Sequence, residues 1–347
     1  MISKKAMSLI PYIAGEQPRG GFIKLNTNEN PYPPSKRVAE VLKNFDAATF
    51  RLYPDPNSAK LTEAIAEYEG VSPRNIFLGN GSDEVLGFAF LALFENSVAF
   101  ADVTYSFYPV YCDLYCFQKK IVPLNNDFSI DLEPYKQSNC GGIVLANPNA
   151  PTSLSVSCGD ILRLAASVSC NVLVDEAYID FSTQTKSLAK VAAESHNLLV
   201  VKTFSKSYSL AGLRCGYAVG STELVEGLSR VKNCFNSYTL DTLCQKAVLA
   251  AVTDREYFAT AVQSIVIVRE KIVERLKTAG HTVLNSDANF LFVKHKKIGG
   301  EEVYKRLKEQ GILVRHFKGA RTDPYVRVTI GTDEEMGAFL KAFNALF

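Results

Sequence analysis

An α/β fold, with a large and mostly parallel sheet flanked by helices and a smaller α+β unit after it, is predicted by three observations. From about Val71, short apolar runs alternate with segments of helical period, the pattern of βαβ units. Three of these runs end in conspicuous polar residues: GIVLANPNAP (reaching Pro151) in two asparagines, NVLVDEAY (Asn171 to Tyr178) in an acid, and NLLVVKTFSK in Lys206. Asp175 and Lys206 are 31 residues apart, about one strand, helix and strand, so both belong at the same edge of one parallel sheet. Ligands of open α/β sheets bind at that carboxyl edge. An acid directly after Val172, Leu173 and Val174 is costly unless a cation pairs with it, so Asp175 is expected to have such a partner; capping of a following helix is the plainer alternative.

The remaining elements follow from local signals. Residues 1–34 hold Pro11, Pro18, Pro31, Pro33 and Pro34 and read as an extended arm rather than a helix, packing on the smaller unit. Asn28 and Asn30 in LNTNENPYPP are candidates to touch a substrate, although Asn before Pro more often marks a turn. SKRVAEVLKNF is a helix, RLYPDPNS (Arg51 to Ser58) a break, and Ser58 to Tyr68 a second helix by its Leu61, Ala64, Ile65 and Tyr68 spacing. Asn75 to Phe94 gives a strand, a glycine turn and a helix opening at Ser82 and Asp83. Its free N–H groups suit a phosphate; capping by Ser82, with Asp83 and Glu84 on the helix dipole, explains it equally well. After Gly216 the pattern becomes helical, with a turn at Ser221, a helix from Leu240 to Val252, and a long amphipathic segment from Arg255 to Ala279. Then come ANFLFVK, EEVYKRLKEQG, ILVRHF, YVRVTIG and a closing helix. In YVRVTIG, Val326, Val328 and Ile330 share one face, so Arg327 and Thr329 point the other way, to solvent or to an anion. Arg315 in ILVRHF has the same form, with solvent the stronger alternative. The expected division is an arm over 1–34, a large unit over 35–253 and a small one over 254–347.

Composition narrows the function classes. The 347 residues are 47% hydrophobic and 21% charged, and 38 basic residues against 36 acidic leave a formal charge of +2. So even a balance argues for neither nucleic acid nor an acidic membrane, and any anion site has to be local. The eight cysteines form no C-x-x-C pair, which favours reduced thiols in a cytoplasmic protein over disulfides or zinc. Cys112 and Cys116 share a helical face without a histidine nearby, so no metal site is expected. MISKKAMSLIPYIAG has too brief an apolar piece for a secretory signal, and no run of about twenty apolar residues spans a bilayer.

The chemistry centres on TFSKSYSLAGLRCGY (Thr203 to Tyr217). A strand ends, a tight polar turn presents the Lys206 amine, and Arg214 follows eight positions later, suited to hold an anion. Two solvated surface cations are the bland alternative. Together with Asp175, Tyr178 and the helix start at Gly81, Ser82 and Asp83, the pair meets the requirements of pyridoxal phosphate. Lys206 would hold the cofactor and then move protons as a free amine, and Asp175 would keep the pyridine nitrogen protonated so that the ring accepts electrons. Tyr178 suits the ring hydroxyl, and Arg214, Ser205 and the Ser82 turn suit the phosphate.

LNTNENPY, LYPDP, GNGSDE, NPNAPT, VDEAY, TFSKSYSLAGLRCGY and VRVTIGT run across essentially the whole chain, and with them it resembles the fold-type I pyridoxal phosphate aminotransferases, specifically the histidinol-phosphate aminotransferases. The resemblance implies that Lys206 carries the cofactor, Asp175 meets its nitrogen and Tyr108 stacks on its ring. It implies a homodimer in which Tyr53 reaches the phosphate in the neighbouring site. Tyr12, Asn28, Arg315 and Arg327 would surround the substrate, the arginines on its phosphate. Ordinary aromatic packing would explain Tyr108 and Tyr53 as well. The chain departs from the family's N-N-P-T-G: it has Asn149-Ala150-Pro151-Thr152-Ser153, with alanine where an asparagine touches the ring hydroxyl. Either Asn149 or Asn147 takes over that contact, or Tyr178 makes it alone. The expected reaction is amino transfer between L-histidinol phosphate and 2-oxoglutarate in histidine biosynthesis. The rivals are an aromatic amino-acid aminotransferase, a threonine-phosphate decarboxylase, and a ligand-sensing regulator, whose DNA-binding domain has no expected room before the arm.

Overall fold

A computed structural model describes residues 1–18 and 20–346. Among them, seven strands form the main sheet: β1 (Ile76–Gly79), β2 (Ser97–Ala101), β3 (Gln118–Val122), β4 (Gly142–Ala146), β5 (Asn171–Asp175), β6 (Leu198–Thr203) and β7 (Gly216–Val219). Their order across the sheet is β1-β7-β6-β5-β4-β2-β3. Every ladder from β6 to β3 is parallel, and β7 runs antiparallel between β6 and β1. The central strands are covered on both faces, which is why GIVLA and LLVV are continuous apolar runs rather than alternating ones. Val172 and Val174 enter the core on one face, with Ile143 and Leu198, while Leu173 enters the core on the other, with Val144 and Leu199.

The helices of eight or more residues are α1 (Lys36–Lys43), α2 (Ala59–Glu69), α3 (Gly81–Leu93), α4 (Tyr108–Tyr115), α5 (Cys158–Ser167), α6 (Thr222–Phe235), α7 (Thr242–Thr253), α8 (Arg255–Thr278), α9 (Gly300–Glu309) and α10 (Asp333–Asn344). Ser221 is the N-cap of α6, its hydroxyl accepting from the Leu224 N–H, rather than an isolated turn. Three strands of the main sheet, β2, β3 and β7, lie where no strand is expected, as do the two-residue strands Ile23–Lys24 and Thr282–Val283 outside it. SVAFA of β2 opens on a serine and QKKIV of β3 is largely polar, while GYAV opens on a glycine, so β7 is defined by its pairing with β1 and β6 more than by its composition.

A second sheet orders Arg315–His316, Tyr325–Thr329, Phe290–Lys294 and Thr282–Val283, all antiparallel. ILVRHF is therefore two strands rather than one: Ile312–Leu313 pairs in parallel with Ile23–Lys24, and Arg315–His316 pairs with Tyr325–Thr329. The arm is tied to this unit through Leu25, whose N–H donates to the Leu313 carbonyl and whose carbonyl accepts from the Thr329 N–H. The arm is not wholly extended. Lys4–Ser8 is a short helix capped by Ser3, because one serine hydroxyl satisfies a free N–H at its start. Val326, Val328 and Ile330 are fully buried together, which turns Arg327 and Thr329 toward the main sheet's carboxyl edge.

Candidate active site

Asp175 is the last residue of β5 and pairs in register with Val201 of β6, and Lys206 stands three residues past Thr203, the end of β6. Both side chains line one cavity. The Lys206 ammonium donates to the Thr27 carbonyl at 3.1 Å and lies 5.8 Å from the centre of the Tyr178 ring. Burial, and then the Arg327 charge, lowers its pKa to about 8. Asp175 has no cation partner among the described residues, contrary to expectation; it accepts from the Tyr108 hydroxyl at 2.9 Å and the Ala177 N–H at 3.1 Å. Burial raises its pKa to about 6 against the pull of those two donors.

An anion cup adjoins the amine. Gly81 opens α3 at φ +80°, and a Cβ there would stand 2.5 Å from Arg214 Nη2, so only glycine leaves space for the guanidinium. Arg214 reaches Ser205 Oγ at 3.5 Å and Asp83 Oδ2 at 3.1 Å. Ser82 is not the helix cap. That position is Asn80, whose side chain makes no capping bond, so the N–H groups of the first turn remain available beside Ser82. A side chain at Gly216 would meet Ser82 N at 2.4 Å, and this close approach draws β7 and Arg214 against α3.

Several expected contacts fall elsewhere. Tyr108 is fully buried and packs on Phe90 and Phe100, so its ring is outside the cavity and only its hydroxyl serves the site, through Asp175. Tyr105 takes the place on the cavity wall, and its hydroxyl donates to Asp83 Oδ1 at 2.8 Å. Asn149 faces away: its amide donates to the Val103 carbonyl and the Thr152 hydroxyl and accepts from Thr104. Asn147 is likewise occupied by the main chain of Val156. Ala150 lines the cavity beside Ala288, Phe290 and Tyr178. Tyr178 accepts from Asn28 Nδ2 at 3.0 Å, and burial raises its pKa. Tyr53 is 82% exposed, stacked on Tyr238 and outside its own chain's cavity.

The far wall comes from the arm and the second sheet: Tyr12, Asn28, Arg315 and Arg327. Arg327 donates to the Asn26 carbonyl at 2.9 Å, and its buried Nε has no partner. Arg315 donates to the Ile13 carbonyl at 3.2 Å. Neither arginine pairs with a carboxylate among the described residues.

Residues 21–343 match the family described as aminotransferase class I and II. The chain belongs to that family. This aminotransferase is 48% identical to a histidinol-phosphate aminotransferase of Clostridium acetobutylicum, over 97% of this chain and 96% of that protein. It is also 48% identical to histidinol-phosphate aminotransferase 2 of Thiobacillus denitrificans, over 98% and 96%. Among solved structures, the histidinol-phosphate aminotransferase of Sinorhizobium meliloti in complex with pyridoxal-5′-phosphate superposes with a TM-score of 0.88 at 22% identity, covering all of this chain and 98% of that one. The fold is therefore the fold-type I fold that the motifs imply.

Around the lysine, the aminotransferase has supports that no motif announces. Asn30 does not face the cavity: its amide donates to the Lys206 and Ser207 carbonyls at 3.0 and 3.1 Å, which holds the lysine turn. The Ser207 hydroxyl donates to Asp180 at 2.6 Å, and Asp180 shares the buried Lys202 ammonium with Glu69. Lys202 in VVKTF was the available signal, since a lysine in a fully buried strand needs an acid within reach.

Proposed function

We propose that this aminotransferase moves an amino group between L-histidinol phosphate and 2-oxoglutarate, with pyridoxal 5′-phosphate as its cofactor, in histidine biosynthesis. The observation that carries the substrate reading is the pair of carboxylate-free arginines, Arg315 and Arg327, on the wall opposite the Lys206 amine. A buried guanidinium with an open N–H favours an anionic substrate end. The two relatives at 48% identity bear the same substrate in their names.

The donor set fits the cofactor. A buried acid without a cation suits a ring N–H, an amine with a pKa near 8 suits an aldehyde, and the Gly81–Ser82 turn with Ser205 and Arg214 suits a phosphate. When bound, pyridoxal phosphate supplies an electron sink that stabilises negative charge at the substrate α-carbon. In this reading Lys206 holds the group and then carries a proton at its Nζ, and Asp175 keeps the ring N–H in place, itself steered by the Tyr108 hydroxyl. Tyr105 would cover the ring, and Tyr178, which accepts from Asn28, would supply the contact to the ring oxygen alone, because Asn147 and Asn149 are engaged elsewhere. Arg315, Arg327 and Tyr12 orient the substrate tail and exclude water around it. The reading also divides the chain into an arm (1–34), a cofactor-binding unit (35–253) and a closing unit (254–347). It makes the protein a homodimer in the cytoplasm, where its eight free thiols stay reduced.

The test compares amino donors on the purified protein. Histidinol phosphate should exceed phenylalanine in kcat/KM by at least about 100-fold, since removing the partner of a charged hydrogen bond costs about 2–3 kcal/mol or more. A preference for phenylalanine would make the arginines a carboxylate clamp. Carbon dioxide release from threonine phosphate without a 2-oxo acid would replace transamination by decarboxylation.

A further inference from the structure

The arm, the second sheet and the cavity wall meet at one asparagine whose polar groups are all engaged. Asn28 sits at φ +56°, in the left-handed region that asparagine tolerates better than most residues, and is buried. Its main-chain N–H donates to Thr329 Oγ1 at 2.9 Å, and its carbonyl accepts from Asn289 Nδ2 at 3.1 Å. Its side chain reaches Thr329 Oγ1 at 3.2 Å and the Tyr178 hydroxyl at 3.0 Å. Asn28 therefore acts on the cavity's chemistry through Tyr178.

The direction of each bond follows from where the protons can go. A main-chain N–H only donates, so Thr329 Oγ1 accepts from Asn28 and has its own proton to place, for which Asn28 Oδ1 is the acceptor. With the amide turned over, Nδ2 would face Thr329, and that hydroxyl proton would have no acceptor among the described residues. Oδ1 therefore faces Thr329, and Nδ2 donates to the Tyr178 oxygen. A phenol proton favours the plane of its ring, with one setting on either side of the oxygen, and the Asn28 donor closes one of them. The ring is held edge-on to Phe290, with centroids 4.9 Å apart, so the open setting is fixed as well. The proton in that setting meets no acceptor among the described residues, and Tyr178 lines the same cavity as Asp175 and Lys206. Burial raises the Tyr178 pKa, so the hydroxyl keeps this proton.

We propose that Asn28 and Thr329 are positioning residues for Tyr178, which together point its O–H into the cavity, where it donates to the ring oxygen of bound pyridoxal phosphate. The inference rests on the cofactor reading above. Thr329 acts from behind Asn28: it stands outside the cavity lining, on the strand Tyr325–Thr329 of the second sheet. The arm and the second unit thus set a proton on a residue that follows β5 of the main sheet. A donor on the ring oxygen draws negative charge away from the neighbouring Lys206 nitrogen, so the proton on that nitrogen is lost more easily; a Tyr178 proton turned aside leaves it held more tightly. Arg327, Asp83, Glu29 and Arg214 also act on Lys206, with Asp175 across the cavity, and all five stay unchanged in the variants that follow.

The test titrates the visible absorbance of the holoenzyme with pH and reads the midpoint at which the Lys206 nitrogen loses its proton. Thr329→Val keeps the side chain's shape and removes its hydroxyl, and Asn28→Gly removes the amide without strain at a positive φ. Each should raise the midpoint by about half a unit to one unit, the worth of one hydrogen bond. Thr329→Ser, which restores the hydroxyl, should return the wild-type midpoint. Tyr178→Phe should raise the midpoint by itself, and adding Thr329→Val or Asn28→Gly to it should move nothing further, because the proton they direct is gone. Unshifted midpoints in the Thr329→Val and Asn28→Gly proteins, or the same shift with and without the Tyr178 hydroxyl, would overturn the assignment. Wild-type protein that gains no visible absorbance from pyridoxal phosphate would overturn the cofactor reading and this inference with it, so the two failures are distinguishable.

Discussion

With its pKa raised to about 6, the Asp175 carboxyl is mostly ionised at neutral pH in a place where ionisation is unfavourable. An acid whose folded pKa lies above its unfolded value destabilises the fold: the penalty is fully present above about pH 6 and fades as pH falls toward 4. Asp175→Asn can keep the bond from Tyr108 and removes the charge. The apoprotein should therefore gain about 1–3 kcal/mol at pH 8, with little gain at pH 4, as read from urea midpoints. Amino transfer should fall by more than about 100-fold in the same protein, because the ring nitrogen loses its counter-ion. Lys206 responds to pH in the opposite sense. Its neutral form is the nucleophile, so covalent capture of pyridoxal phosphate by apoprotein, trapped with borohydride, should rise with pH around a midpoint near 8 rather than 10.5. Lys206→Ala should leave no pyridoxyl-labelled peptide. Residues at strand ends were legible because a polar side chain that closes an apolar run has only the sheet edge to occupy. The tyrosine of the cavity wall was not: in TYSFYPVY the start of α4 buries Tyr108 and leaves Tyr105 on the wall, a choice made by backbone direction rather than composition.

On the scale of elements, β6 and the turn after it carry two lysines with opposite fates. Lys202 is 4% exposed, and its ammonium sits 2.9 Å from Glu69 and 3.5 Å from Asp180, while Glu69 also accepts from the Tyr217 hydroxyl at 2.5 Å. Burial alone would lower the Lys202 pKa, but the surrounding tyrosine and acids raise it well above the ordinary value. Lys202→Met fills similar space and leaves both acids without their cation, so stability should drop by about 3–5 kcal/mol in a denaturant titration. Asp180 also holds Ser207, so the loss should extend to the lysine turn and slow cofactor capture. The parallel centre of the sheet was readable from β4, β5 and β6, whose burial on both faces makes them uniformly apolar. β7 was not readable, because an antiparallel strand of four residues between two partners is specified by those partners. ILVRHF split because Ile312–Leu313 and Arg315–His316 pair with different chain segments, a tertiary choice that leaves no mark in a six-residue segment.

For the whole molecule, the surface around Tyr53 bears on assembly. Phe50, Leu52 and Tyr53 are 57%, 58% and 82% exposed and line one surface depression, and an apolar surface of that kind favours a protein interface. In the proposed homodimer each site combines Lys206 of one subunit with Tyr53 of the other, and this has a consequence that a self-contained site lacks. Lys206→Ala protein is inactive because both of its sites lack the amine, and Tyr53→Ala protein is impaired because both lack the crossing phenol. After the two are mixed, dissociated and reassociated in equal amounts, about half the dimers are hybrids. Each hybrid has one site with both defects and one site with neither, since the Tyr53→Ala subunit contributes its lysine and the Lys206→Ala subunit its tyrosine. Activity should recover to about a quarter of the wild-type value per site. Recovery to no more than the average of the two separate variants would mean that Tyr53 serves its own subunit or none, and the exposed aromatic surface would then need another partner.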